Sequence, residues 1–378
     1  LALAHLPPAV APAELGLAGA LSARARLEGR PAAPTGTVDV ALRDAAFLGV
    51  DRLGVDAALR LEGRAAQVRV AAVRGATRVD AEAALPWPLS DRAPIEGTVQ
   101  IADLDLRDVA AIAGLDEALA GRVHGEARIA GTIAAPQGLL DLRGEGLAAR
   151  GIEDAAAAVR ATFAEAIDVE LEATHAGARL SATGRVEGSL RDPAALARAP
   201  ARAQVRVEGA QLGWLMPRTE GAVAVRGLIA LDAALEGSLL APRGTVALGL
   251  ADTWSGDIGP LDATLTLHAE AARTRLDLDA RLLGRPFVSG AVEAGAPIER
   301  LADVASRPRT PVQGALSAAD LELASVAWAT GLRRRVRGLA DGTLQIGGTI
   351  GDPVVDLEAR LRDLALRRSA VGALRLEA

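Results

Sequence analysis

The sequence contains no cysteine, lysine, asparagine or tyrosine. Without thiols it is neither a disulfide scaffold nor a thiolate zinc protein, and zero cysteine is compatible with the periplasm without demanding it. Aromatics are 2% of the chain, too few for the girdles of a membrane barrel. All 42 basic residues are arginine, set among 48 acidic ones for a net charge of −6. The two signs are interspersed, so there is no electrostatic footprint for nucleic acid. No apolar run approaches the length of a membrane span, and no signal peptide is visible. The four histidines (His5, His124, His175, His268) form no HExxH or His-x-His pair, so metal binding is not expected. There is no GxSxG elbow or P-loop, and GEGLAARG (144–151) resembles a dinucleotide loop only superficially. An enzyme needs a site, and these residues offer none. No cofactor is expected.

What the chain does have is a repeat. EGSLLAPRGTVALGL (236–250) is echoed by EGRPAAPTGTVDVAL (28–42), AGTIAAPQGLLDLRG (130–144) and GGTIGDPVVDLEARL (347–361). Each copy places a glycine five residues before a proline: Gly29 and Pro34, Gly131 and Pro136, Gly237 and Pro242, Gly348 and Pro353. Three add a glycine two residues later (Gly36, Gly138, Gly244), where the fourth has Val355. Proline at the second and glycine at the fourth place of a turn is a type I signature, so a turn is expected at each proline. Apolar residues then fall on every second position: Val38, Val40 and Leu42; Leu140 and Leu142; Val246, Leu248 and Leu250; Leu357, Ala359 and Leu361. A long internal repeat predicts one continuous array over 1–378. Its units are a partial 1–33, then 34–135, 136–241 and 242–352, and a partial 353–378. The chain opens at Leu1 inside a repeat, as expected of a piece of a longer protein whose anchor lies outside it.

A second set of prolines, Pro94, Pro200 and Pro311, each lies 42 residues before a turn proline. Within that block a glycine 27 positions on is kept at Gly121, Gly227 and Gly338, and back-projection from Pro34 gives Gly19. The other half of the unit varies in length and reads as four short strands, among them 55–63, 66–73, 77–85 and TRLDLDARLL (274–283). In the last, Leu276, Leu278, Ala280 and Leu282 face one way, and Arg275, Asp277, Asp279 and Arg281 the other. EDAAAAVRATF (153–163) is alanine-rich, but its place in the repeat makes it a strand. The fixed half reads as one strand, a short helical cover at 106–114, 212–218 and 323–331, then two more strands. Short helices are also expected at 191–199 and 297–305. The alternating carboxylates read as a solvated strand face. RRRVR (333–337) changes sign between copies and reads as a solvated loop, and the tryptophans as core or edge packing.

The pattern Gly-x-φ-x-x-Pro-x-Gly followed by alternating apolar residues, with a short Leu-rich segment before the next unit, resembles the TamB family of translocation and assembly module proteins, related to AsmA-like and bridge-like lipid-transfer proteins. The resemblance covers essentially the whole chain. It implies an all-β fold: an elongated, repeating antiparallel sheet curled into an apolar-lined groove, with short helices once or twice per unit of about 105 residues. It further implies an inner-membrane-anchored protein crossing the periplasm of a Gram-negative bacterium. Its partners would be phospholipid acyl chains and, through a segment outside this chain, an outer-membrane barrel of the Omp85 class (TamA-like). The groove lining would then be Val38, Val40, Leu42, Leu140, Leu142, Val246, Leu248, Leu250, Leu276, Leu278, Leu357 and Leu361.

Physical chemistry reaches part of the same expectation. A sheet apolar on one face must cover it with a second layer or a ligand. A 16-carbon chain loses about 13 kcal/mol in water at ~0.8 kcal/mol per CH₂, so a conduit must shelter it throughout. The alternatives are a series of closed β-sandwiches, a non-lipid scaffold whose strand edges receive outer-membrane protein clients, and an extracellular β-fibre.

Overall fold

The computed structural model describes residues 18–47, 50–113, 119–149, 152–189, 193–214, 225–255, 258–324, 336–366 and 369–377. It is all-β and antiparallel, with a few short helices. Residues group into two units, one holding Leu1–Ala176 and Ser181–Leu196, the other Gly177–Leu180 and Ala197–Ala378.

The first unit is a meander. Its strands are β1 (Ala18–Arg30), β2 (Ala33–Phe47), β3 (Val50–Glu62), β4 (Ala65–Arg74) and β5 (Thr77–Pro86), followed by β6 (Glu96–Asp105), β7 (Ala120–Gly131), β8 (Pro136–Ala149), β9 (Ile152–Phe163) and β10 (Ala166–His175). Each pairs antiparallel with its predecessor. Strand β11 (Ala178–Glu187) is divided between the units. The second unit repeats the plan with β12 (Ala201–Gln211), β13 (Val225–Ser238), β14 (Ala241–Ser255), β15 (Ile258–Ala269) and β16 (Thr274–Leu282). It continues with β17 (Arg285–Ala294), β18 (Val312–Glu322), β19 (Val336–Thr349), β20 (Asp352–Leu366) and β21 (Ser369–Glu377). In neither unit does the last strand pair back onto the first, so neither sheet is a closed barrel.

The alanine-rich stretch 153–163 is indeed a strand, β9. Helix α1 (Leu106–Ala113), the single turn α2 (Pro193–Leu196), the 3₁₀ turn Leu212–Trp214 and α3 (Ile298–Ala302) fall where short helices are expected. Most of 323–331 and of RRRVR lies outside the described residues. One expectation fails: between α1 and Pro136 there is a single long strand, β7, where two were read.

The turn prolines also sit differently from expectation. Gly29 pairs with Pro34, Gly131 with Pro136, Gly237 with Pro242 and Gly348 with Pro353. The reversal therefore lies between glycine and proline, and the proline is the first or second residue of the returning strand instead of occupying the turn. That is a position where its missing N–H is tolerated. The following glycine is inside the strand: a Cβ on Gly244, at φ +133°, would lie 2.0 Å from the Ala234 carbonyl oxygen.

The hairpin tips explain why the block prolines keep a fixed distance. Ile133 and Ala134 donate N–H to Ala93 O (3.1 Å) and Asp91 O (2.7 Å), and Ile350 and Gly351 to Thr310 O and Pro308 O (both 2.9 Å). Pro94 and Thr132, like Pro311 and Thr349, form isolated bridges. The strap before each block strand is thus bonded to the tip of the hairpin that follows.

At the opposite rim the strands bulge. Ten residues after each turn proline stands Asp44, Gly146, Asp252 or Asp363, with φ between 46° and 58°. Nine residues after each block proline stands Asp103, Gly209 or Asp320, with φ 51°, 68° and 52°. Aspartate and glycine tolerate this left-handed conformation where other residues resist it, and each coincides with a break in register. The kept glycines lie opposite: a Cβ on Gly227 would be 2.8 Å from Thr253 Cα.

Candidate functional site

Register turns the period-two pattern into rows. In the first unit Ala23, Val40, Ala57, Val70, Ala81, Val99, Ala127, Leu140, Ala161 and Val169 follow one another across all of β1–β10. Two residues to one side runs Leu21, Leu42, Val55, Ala72, Val79, Ile101, Gly125, Leu142, Val159 and Leu171. The second unit has Val207, Leu231, Leu248, Leu265, Leu278, Gly290, Leu316, Leu344 and Leu357. Beside that row lie Val205, Ala233, Val246, Leu267, Leu276, Val292, Gly314, Ile346 and Val355. A row of ten strands spans about 43 Å at ~4.8 Å per strand. Within each unit the lining residues read from the sequence therefore share one face, including Val38, which pairs with Leu59, and Leu250, which pairs with Ala263. Leu361 pairs with Ala340, just before the β20 bulge.

The face has margins and an open middle. Many buried residues lie at strand ends or in the straps: Leu61 and Ala66 with Ala93 of one strap, Ala269, Thr274 and Ala294 with Ala296 of another, and Ala45, Val50, Ala340 and Leu364 at the bulge rim, while Ala233 in the middle of β13, Ala263 and Ala280 are buried within the face itself. Thr274 Oγ1 donates to Ala296 O at 2.9 Å, tying the second strap to β16. Between the margins Val38, Val40, Leu42, Leu140, Leu142, Val246, Leu248, Leu250, Leu278 and Leu361 are half-buried. Leu276 and Leu357 are 37% and 42% exposed. No large side chain among the described residues is fully buried, so no second layer seals this face.

The opposite face is charged and ion-paired. Arg43 holds Asp56 at 2.6 Å, Arg206 holds Asp232 at 2.7 Å and Arg362 holds both Asp320 and Asp341 at 2.6 and 2.8 Å. The Arg43 hydrogen bond keeps the Asp56 carboxyl below its ordinary range, and Arg275 does the same for Asp277. A depression of about 440 Å³ is lined by Asp39, Ala41, Asp56, Ala58, Arg69, Ala71, Asp80 and Glu82 of this face, with Ala23, Val40, Ala57, Val70 and Ala81 of the row between them. Asp56, Asp80 and Glu82 are each paired with an arginine, which makes it a solvated strand face. Three tryptophans pack at edges: Trp87 and Trp214 are half-buried, and Trp254 is half-buried beneath the Arg226 guanidinium, 5.3 Å from its ring centroid. Sequence reading missed the bulge positions, although Asp44, Asp252 and Asp363 stand at equal distances from their prolines.

No family model, curated protein or solved structure matches the chain.

Proposed function

We propose that the chain is a segment of a periplasm-spanning lipid-transfer bridge that carries phospholipid between inner and outer membranes and supports outer-membrane protein assembly. One observation carries this reading: rows of Val, Leu, Ile and Ala, interrupted only by Gly125, Gly290 and Gly314, cross each unit, and large apolar side chains on them such as Leu276 and Leu357 stay exposed. An apolar strip of this kind is unfavourable in water and favourable under an acyl chain. The resemblance to the TamB family supplies the membranes, an inner-membrane anchor outside this chain and the Omp85-class partner.

Organic extraction and mass spectrometry of the protein purified from a Gram-negative host tests the reading. Co-purifying phospholipid, and its exchange into acceptor vesicles, is the expected result. Protein free of lipid that accelerates no transfer would contradict it. If the same protein bound unfolded outer-membrane strands, the scaffold alternative would take its place.

A further inference from the structure

Helix α1 lies on the apolar side of the first unit, and an unusual tether holds it there. It packs against β6 and β7 and reaches back to β3. Arg74 stands two residues beyond Ala72, whose partners Val55 and Val79 belong to an apolar row, so it rises from that face at the bulge rim. Its guanidinium binds Asp108 of α1 through Nη1, Asp51 of β3 through Nη2 at 3.1 Å, and the Asp51 carbonyl through Nε at 2.8 Å. The Asp108 and Arg74 side chains are 13% and 26% exposed. Thr77 Oγ1 secures the corner before the helix, donating to Asp103 O at 2.8 Å and accepting from Asp105 N at 3.3 Å.

The helix itself offers little grip. Ala110 is buried, whereas Val109 and Ile112 are exposed. Eight residues are too few for a helix to persist unaided, so its position depends on the arginine that links it to β3. The matching place in the second unit is Leu282, which cannot make such a tether.

We propose that α1 is a latched lid over one margin of the apolar face, and that release of Arg74 opens a lateral entrance there for an acyl chain. The entrance rests on the lipid-path reading, but the latch is measurable without lipid.

The test is hydrogen exchange of the α1 amides, with maleimide labelling of Ala110→Cys, the chain having no other cysteine. Arg74→Ala should speed both by roughly tenfold, the scale of losing a charge-assisted tether on a locally opening segment. Arg74→Lys cannot fork between two carboxylates and should fall between. Amides of β4 should exchange as in the wild type, which separates lid opening from unfolding. Loading with phosphatidylethanolamine vesicles should change α1 exchange in the wild type and not in Arg74→Ala. Equal α1 exchange in variant and wild type would overturn the latch. Lipid bound with α1 exchange unmoved by it would overturn the entrance while leaving the lipid path standing. No bound lipid in either protein, with α1 loosened by Arg74→Ala, would instead overturn the lipid path and the entrance with it.

Discussion

Gly244 marks how closely neighbouring strands approach at the repeat. Its φ of +133° and the Ala234 oxygen 2.0 Å from a built Cβ leave no room for a side chain. Gly244→Ala should destabilise by about 3 kcal/mol or more through strain and backbone displacement. Gly347 meets nothing within 4 Å and lies outside the left-handed region, so Gly347→Ala should stabilise by about 0.4–1 kcal/mol. Chemical denaturation of both variants checks the pair, and equal effects would remove the distinction. Thr274 is a second sensitive residue. Thr274→Val strands the buried Ala296 carbonyl and should cost about 1–3 kcal/mol, while Thr274→Ser keeps the bond. At this scale the sequence was only partly legible. Parity put the apolar residues of each strand on one face, and the register joins them into rows. Asp44, Asp252 and Asp363 look like any solvated strand carboxylate until backbone angles show them turning the chain.

At the scale of elements, strand assignment succeeded because alternation persists through every unit, even where alanine content favours helix, as in β9. Turn chemistry misled because Pro-x-Gly is a turn signature only when nothing else fixes the register. Here Gly237 and Pro242 face each other across the ladder, and the reversal falls at Leu239 and Leu240. Ion pairs within and between strands set an acid limit. Asp51, Asp56, Asp80, Asp277 and Asp341 are all held below their ordinary range, the first four chiefly by arginine hydrogen bonds and Asp341 chiefly by the Asp320 N–H. A carboxylate with a depressed folded pKa contributes stability that is fully present above its unfolded value, about 3.9, and is lost as pH falls through the folded value. Thermal stability should therefore be flat from neutrality to about pH 5 and decline below about pH 4. Because these pairs are exposed, added salt should shrink the decline. A loss already between neutral pH and about pH 5 would require groups that titrate in that window with a depressed folded pKa, such as histidines held neutral, and would contradict the scheme.

At the scale of the whole molecule the central claim is that the apolar face of each unit is an open path for acyl chains. Sequence alone could not separate an open face from a closed sandwich, because both give the same alternation. The deciding facts are exposures, such as those of Leu276 and Leu357, and that no large side chain among the described residues is fully buried. An open face lets water reach a charge placed on it, whereas a sealed core does not. Leu278→Asp should thus fold with little loss of thermal stability yet bind less lipid; global unfolding would indicate a sealed core. The most direct measurement uses the parity of β16. A photo-crosslinking amino acid is placed at Leu278 in one protein and at the neighbouring Asp279 in another, and both are irradiated in Gram-negative cells. Leu278 lies in the row shared with Leu265, and Asp279 pairs with Thr264 on the charged face. Phospholipid captured at 278 and not at 279 is the predicted result; equal capture at both, or none at 278, would contradict it.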